Sequence, residues 1–181
     1  GADIGVALDG DGDRLGVVDE SGNNIWSDRV AIILARQALQ KNPGGKVVFD
    51  VKCTKALEED IKVHGGIPVM WKTGHSYIKK KCHDENAVFG GERSGHFFIR
   101  DGYYGYDDGV FSAAKLIEYL SSQSKSFSQI IGETPYYEMT PTMHVSCPDE
   151  KKYVIAEKLT EEFKKKYSVI EVNGARVVFP D

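Results

Sequence analysis

Three aspartates near the amino terminus alternate with glycines in the run Asp9-Gly10-Asp11-Gly12-Asp13. In an extended strand, residues two apart point to the same side about 6.5 Å from each other, which is too far for their carboxylates to share one ion. Glycine permits the dihedral angles that curl such a segment and bring the side chains together. Carboxylates held this close repel one another unless a divalent cation lies between them, and hard oxygen ligands favour Mg²⁺ or Ca²⁺. The spacing therefore predicts that Asp9, Asp11 and Asp13 bind a divalent cation.

Two other interpretations of the acidic loop, residues 9–14, compete with a magnesium site. Asp-Gly pairs are common in solvated surface turns. The loop also fits the start of an EF-hand, because Asp9, Asp11 and Asp13 occupy loop positions 1, 3 and 5 and Glu20 falls at position 12. Position 6 of an EF-hand requires glycine, however, and Arg14 stands there, between flanks typical of strands instead of helices. We therefore expect Mg²⁺ as the cofactor.

Four further residues have types and positions that suit phosphoryl transfer. Arg14 follows the aspartates, where its guanidinium either balances their charge or contacts a phosphate bound beside the metal. Lys52 follows a buried strand at its carboxyl end, where open α/β sheets place ligands, or else is simply a solvated lysine. His75 and His96 each follow a glycine beside a predicted strand or helix end, and histidine titrates near neutral pH. We predict Arg14, Lys52, His75 and His96 as catalytic candidates, and Arg14 and Lys52 also as substrate contacts.

Apolar runs predict the elements that position these residues. Residues 4–8 and 15–18 are rich in β-branched side chains and predict two strands that flank the acidic loop. From Ser27, the predicted N-cap of a helix, strands then alternate with helices, which predicts an α/β fold: a mixed, mostly parallel sheet covered by helices on both faces. The pattern breaks near residues 132–135. The elements predicted beyond that break are a strand at 143–147, a helix at 149–167 and a hairpin that turns at 173–174.

Composition narrows the classes of partner. The 181 residues are 41% hydrophobic and 28% charged, with a formal net charge of −4. Nucleic acids and anionic membrane surfaces are bound by clustered excess Lys and Arg, so we expect neither as a partner. The sequence has no apolar run near the about 20 residues that span a bilayer and no basic segment leading into an apolar one. We expect a cytoplasmic protein whose three cysteines stay reduced, and, because both ends fall within apolar patterns, a segment of a longer polypeptide.

Several segments together resemble the α-D-phosphohexomutases, specifically the phosphomannomutase/phosphoglucomutase group. The acidic loop resembles the metal-binding loop of that family, and further matching segments follow in the family's order and spacing. Each motif alone is weak evidence, but the set covers essentially the whole chain. The further segments are Asp50-Val51-Lys52-Cys53-Thr54, Thr73-Gly74-His75-Ser76, the run from Gly90 to His96, and Gly105-Tyr106-Asp107-Asp108-Gly109.

The resemblance implies a four-domain enzyme that interconverts hexose 1-phosphate and hexose 6-phosphate, with mannose or glucose as the sugar. A phosphoserine would donate its phosphoryl group to form a hexose 1,6-bisphosphate. Residues 1–26 would be the C-terminal strands and metal loop of domain 2, 27–133 the sugar-binding domain 3, 134–140 a linker and 141–181 part of domain 4. The missing domains 1, 2 and 4 of the same polypeptide would supply the serine and a second phosphate site, so the segment alone should be inactive.

Within that resemblance, Glu92 and Ser94 are expected to hydrogen-bond the sugar hydroxyls, and the three aspartates to hold Mg²⁺ beside the phosphoserine. The residue between Glu92 and Ser94 is Arg93, whereas Met is frequent there in the mannose/glucose group. This departure leaves phosphoglucosamine mutase open as an alternative. Two other classes also stay open: a non-catalytic calcium- or carbohydrate-binding module, and a phosphatase that uses Asp9 as its nucleophile. The residues predicted either to line the sugar site or to pack in the core are Tyr103, Tyr104 and Tyr106.

Overall fold

The computed structural model describes residues 1–180. By its internal contacts the chain divides into a first unit, Gly1–Tyr137, and a second unit that begins at Glu138. The predicted domain boundaries after residues 26, 133 and 140 stay a prediction. Across the described residues, no helix combines the length and the apolar character needed to cross a membrane. The elements of the first unit are β1 (Ile4–Leu8), β2 (Leu15–Asp19), β3 (Asn24–Ile25), α1 (Ser27–Lys41), β4 (Lys46–Asp50), α2 (Lys55–Val63), β5 (Ile67–Trp71), α3 (His75–Asp84), β6 (Phe89–Gly91), β7 (Phe97–Ile99), α4 (Gly109–Ser121) and α5 (Phe127–Gly132).

Two sheets form the first unit's framework. The smaller sheet has the order β1-β2-β3 and is antiparallel, and its β1–β2 pairing ends with Leu8 opposite Leu15, directly beside the acidic loop. The larger sheet has the order β5-β4-β6-β7. In it, β4 is parallel to both β5 and β6, and β7 alone is antiparallel to its neighbour. The predicted mixed, mostly parallel sheet is confirmed.

Alternating side chains of β4 show why helices cover both faces of this sheet. Val47 and Phe49 pack into the larger apolar core with residues of α1, α2 and α4, whereas Val48 packs on the opposite face with Ile78 and Cys82 of α3. Successive side chains of a strand point to opposite faces, so a fully apolar strand needs cover on both. The layers are therefore helix, sheet, helix.

The first helix begins one residue earlier than its predicted cap implied. Trp26 is the N-cap: its backbone carbonyl accepts from the amides of Arg29 and Val30, and its side chain makes no capping hydrogen bond. Ser27 is thus the first helical residue, and its prediction as the N-cap was wrong. The backbone of Trp26 already supplies the helix-starting acceptor, so no polar side chain is needed there.

A buried ion pair joins α1 to α2. The Arg36 guanidinium donates to both carboxylate oxygens of Asp60, Nε to Oδ1 at 2.9 Å and the terminal nitrogen to Oδ2 at 2.5 Å. Replacing Asp60 with Asn should lower the free energy of unfolding by about 3 kcal/mol, because it leaves a buried guanidinium without a counter-ion. Denaturant unfolding measures this loss, with Lys80→Ala, at an exposed pair on α3, as a control expected to change stability by less than about 1 kcal/mol. Equal losses in the two variants would contradict the prediction.

In the described part of the second unit there are one helix and one hairpin: α6 (Asp149–Lys164), β8 (Ser168–Ile170) and β9 (Arg176–Val178). The two strands pair antiparallel around Gly174, which adopts φ +71°, and the predicted hairpin is confirmed. The strand predicted at 143–147 was wrong, because residues 135–148 have no regular secondary structure. Met143 and Val145 are 81% and 87% exposed. Their strand-like residue types have no packed surface to lie on, and strand propensity depends on such packing.

Candidate active site

The acidic loop is the tip of the β1–β2 hairpin. Its backbone curls through Gly12, whose φ of +78° is a conformation that glycine adopts readily. The Gly12 amide donates to the carbonyl of Asp9 at 3.3 Å, and the Arg14 amide donates to Asp9 Oδ1 at 3.2 Å. The curl brings one carboxylate oxygen from each of Asp9, Asp11 and Asp13 to within 4.8 Å of one another.

This donor set fits Mg²⁺. Its members are three carboxylate oxygens, the hard ligands that Mg²⁺ prefers, gathered on one short loop. Asp13 Oδ1 is buried without a hydrogen-bond partner, with Arg14 Nε 3.7 Å away, and a bound cation would satisfy it. Desolvation acts to raise the pKa of Asp9, but the amide and guanidinium of Arg14 outweigh it and lower the pKa, which keeps the carboxylate ionised.

A close backbone contact holds the acidic loop against the start of α4. The Gly109 amide donates to the carbonyl of Gly12 at 2.9 Å. A Cβ atom at residue 109 would lie 2.8 Å from the carbonyl oxygens of both Gly12 and Arg14, closer than real contacts allow. Only glycine therefore fits at residue 109 without moving the acidic loop.

The 92–96 loop, between β6 and β7, lies beside the acidic loop. Arg14 and His96 form an isolated antiparallel bridge, and the Leu15 amide donates to the carbonyl of Gly95 at 3.1 Å. These backbone contacts place the side chains predicted for the metal and for the sugar next to one another.

Glu92 is a buried carboxylate, with 1% of its surface exposed. Its Oε1 accepts from the Gly74 amide at 2.6 Å, and its Oε2 lies 3.1 Å from His96 Nδ1. Burial raises the pKa of Glu92, and the negative charge of Asp50 adds to that rise, while the Gly74 bond and the two nearby histidines oppose it. The side chain of Ser94 joins the same cluster, with its Oγ 2.9 Å from His96 Nδ1.

His96 connects this cluster to the acidic loop. Its Nε2 lies 3.3 Å from Asp13 Oδ2 and accepts from Arg14 Nε at 3.3 Å. The other ring nitrogen, Nδ1, faces Ser94 Oγ and Glu92 Oε2. A continuous chain of contacts thus runs from Asp13 through His96 to Glu92.

His75 stacks on His96, with ring centroids 5.4 Å apart. Its Nδ1 lies 2.9 Å from Asp107 Oδ2, and Lys79 Nζ donates to Asp107 Oδ1 at 2.8 Å. Burial alone would raise the pKa of Asp107, but the hydrogen bonds from Lys79, the backbone and His75 lower it overall. An ionised Asp107 therefore orients His75.

The remaining predicted residues lie outside this contact chain. Lys52 is exposed in the turn after β4, at the carboxyl edge of the sheet. Tyr104 and Tyr106 are mostly exposed, so they do not pack in the core, whereas Tyr103 stacks on Phe111 at 4.0 Å. A role for these tyrosines at the sugar stays a prediction.

Arg93 contacts Trp26 and Asp50. Its guanidinium lies over the Trp26 ring, 5.1 Å from the ring centroid, and its backbone amide donates to Asp50 Oδ1 at 3.3 Å. Sequence reasoning assigned no role to Asp50 or Asp107. Asp50 ends a buried apolar strand, which is the same signal that indicated Lys52 two residues later.

Comparison with known proteins identifies this arrangement. Residues 26–137 match the family described as phosphoglucomutase/phosphomannomutase, alpha/beta/alpha domain III. The chain belongs to the phosphoglucomutase/phosphomannomutase family. The resemblance inferred from the motifs is thereby confirmed.

Relatives with curated names agree with this assignment. A phosphomannomutase/phosphoglucomutase of Pseudomonas putida is 45% identical over 162 residues, which are 90% of this chain and 35% of that protein. A phosphoglucomutase of Neisseria gonorrhoeae is 43% identical over 183 residues, covering 99% of this chain and 40% of that protein. The crystal structure of a phosphoglucomutase/phosphomannomutase family protein from Burkholderia thailandensis superimposes with a TM-score of 0.86 at 38% identity, over 99% of this chain and 38% of that one. The chain therefore spans well under half the length of the family members it matches.

Proposed function

We propose that this chain forms the metal loop and the sugar-binding surface of a cytoplasmic, Mg²⁺-dependent phosphohexomutase. The enzyme would interconvert hexose 1-phosphate and hexose 6-phosphate, with glucose or mannose as the sugar, through a hexose 1,6-bisphosphate. The contact chain from Asp13 through His96 to Glu92 carries the proposal, because it joins a cation-binding loop to a buried carboxylate suited to sugar hydroxyls. The curated names of the relatives agree with this reaction.

Each side chain has a role that follows from its contacts. Mg²⁺, when bound by Asp9, Asp11 and Asp13, would withdraw charge from the transferring phosphoryl group. Arg14, whose side chain is half exposed, can turn its guanidinium to a phosphate oxygen beside that ion.

Protons and sugar hydroxyls would be handled by the 92–96 loop. His96 would take the proton of the attacking hydroxyl at Nε2 once Arg14 moves to the phosphate, and Glu92 beside Nδ1 would stabilise the resulting positive ring. Glu92 and Ser94 would accept from and donate to the neighbouring hydroxyls. His75, oriented by Asp107, is the second proton carrier, and Lys52 is proposed to reach the substrate phosphate.

The rest of the polypeptide would contribute the phosphoserine and a second phosphate-binding site. We therefore expect residues 1–181 alone to show no mutase turnover, because the phosphoryl donor lies outside them. Turnover by the pure segment above a no-protein control would contradict this.

Coupled assays of the full-length enzyme test the proposed function. We expect turnover of glucose 1-phosphate and mannose 1-phosphate that is lost with EDTA and restored by Mg²⁺. A clear preference for glucosamine 1-phosphate would contradict the proposed sugar. Tight Ca²⁺ binding without any response to Mg²⁺, or a trapped phosphoaspartate at Asp9, would instead support a binding module or a phosphatase.

Arg93 should not determine which hexose phosphate the enzyme prefers. The Arg93 guanidinium lies over Trp26, so replacing Arg93 with Met removes one partly exposed cation–π contact within the protein. KM for glucose 1-phosphate and for mannose 1-phosphate should therefore change by less than about threefold. Steady-state kinetics on both sugars measure this, with Trp26→Phe, which keeps an aromatic ring, as the matched variant. A shift of preference by tenfold or more, the size expected for a hydrogen bond to a charged group, would show that Arg93 does reach the sugar.

A further inference from the structure

Asp50 occupies a central place at the carboxyl edge of the larger sheet. It is the last residue of β4, and β4 lies between β5 and β6. The loops that leave all three parallel strands meet at this edge, which is where open α/β sheets bind ligands. Asp50 is also buried, with 1% of its surface exposed.

Its carboxylate accepts hydrogen bonds from each of those three loops. Oδ1 accepts from the Cys53 thiol at 2.9 Å and from the Arg93 backbone amide at 3.3 Å, and Oδ2 accepts from the Thr73 hydroxyl at 3.1 Å. A carboxylate accepts at both oxygens and so matches all these donors, whereas the amide of Asn would turn one acceptor into a donor.

Two of the tethered loops hold Glu92 between them. The peptide after Glu92 is bound through the Arg93 amide, and the loop that contains Thr73 continues to Gly74, whose amide binds Glu92 Oε1 at 2.6 Å. Both the backbone and the carboxylate of Glu92 therefore depend on neighbours that Asp50 fixes.

We propose that Asp50 is a positioning residue that sets the orientation of Glu92 for sugar binding by tying the 72–74 loop and the 92–96 loop to the end of β4. The proposal rests on the proposed function of Glu92, but the tether itself can be measured separately. Asp50 does not contact the acidic loop through any hydrogen bond of the described residues, so metal binding should be independent of it.

The test is Asp50→Asn in the full-length enzyme. The Asn amide would place an N–H opposite one of the donors that Asp50 now accepts from, so one loop tether is lost. We therefore expect KM for glucose 1-phosphate to rise about tenfold and kcat to fall less. The Mg²⁺ concentration for half-maximal activity should stay unchanged. Amide hydrogen exchange should become faster in residues 92–95 and 73–74 and stay unchanged in the acidic loop.

Asp60→Asn is the matched control, because Asp60 is also buried, with 4% of its surface exposed, but joins α2 to α1 away from this edge. It should lower the melting temperature without changing KM. A similar rise of KM in both variants, or an unchanged KM in Asp50→Asn, would overturn the proposal.

A second pair of variants covers the case in which Asp50→Asn does not fold. Thr73→Val removes the hydroxyl at nearly constant shape and should raise KM about threefold, the loss expected for one hydrogen bond. Thr73→Ser keeps the hydroxyl and should restore the wild-type KM; identical kinetics in the two Thr73 variants would overturn the proposal. If the unsubstituted enzyme shows no mutase turnover, the proposed function fails, and the exchange measurement still decides whether Asp50 holds the two loops.

Discussion

Replacing Asp13 with Asn is expected to lower kcat by on the order of a thousandfold, because the metal contributes several kcal/mol of charge stabilisation in phosphoryl transfer. Asp13 supplies one of the three gathered carboxylates, and its buried Oδ1 has no hydrogen-bond partner. An amide at this position removes a negative charge and can turn an N–H toward the cation. Binding of Mn²⁺, followed by electron paramagnetic resonance on the full-length enzyme, should weaken in parallel with kcat.

The matched control is Asp3→Asn, which removes an exposed carboxylate six positions before the acidic loop. It should leave both Mn²⁺ binding and kcat unchanged, which separates the loss of a ligand from a general change of charge. Wild-type Mn²⁺ affinity in Asp13→Asn would contradict a role for this aspartate as a metal ligand.

Replacing Glu92 with Gln should instead weaken sugar binding and spare the metal. Glu92 is buried, and a hydrogen bond to a charged group contributes about 1.5–3 kcal/mol, against about 0.5–1.5 kcal/mol for a neutral one. Exchanging the carboxylate for an amide should therefore cost about 1.4 kcal/mol per bond and raise KM for hexose 1-phosphate by about a hundredfold if two hydroxyls are bound. The side chain also lies beside His96 Nδ1, so kcat should fall as well. Steady-state kinetics give both constants, and Mn²⁺ binding should remain at the wild-type level.

Glu85→Gln provides the comparison, because Glu85 is a carboxylate of the same domain that pairs with Lys46 and Lys81 outside the site. We expect its KM to match that of the wild type. An unchanged KM in Glu92→Gln would exclude Glu92 as the sugar ligand, whatever its effect on stability. Together, the Asp13 and Glu92 variants separate the two halves of the proposed site.

The parts of this site that local sequence determines could be predicted without coordinates. The alternation of aspartate with glycine allows the loop to curl and bring the carboxylates together, and the curl depends only on residues within the loop. Gly12 supplies it through its positive φ. The parallel sheet could also be predicted, because apolar strands alternate with helices of matching length.

Contacts between distant segments could not be predicted in the same way. Arg14 and His96 are 82 residues apart, and their bond depends on how the β1–β2 hairpin packs beside the 92–96 loop. The burial of Glu92 could not be predicted either, because a glycine-rich turn suggests exposure, whereas the Gly74 amide at the start of α3 gives the buried carboxylate a partner. The strand prediction for residues 143–147 was wrong for the opposite reason: these residue types favour strands, but here they are exposed and have no packed surface to lie on.

The pairing of Leu8 with Leu15 limits how the acidic loop can evolve. In β2, Leu15, Val17 and Asp19 are buried, while Gly16 is exposed and Val18 is half-buried. Side chains of a strand alternate with a period of two, so inserting or deleting one residue in the loop would either unpair the hairpin or turn Leu15 and Val17 toward water. Changes of metal preference in such a loop should therefore come from exchanging one ligand type for another at constant length, and homologous loops of different length should be rare.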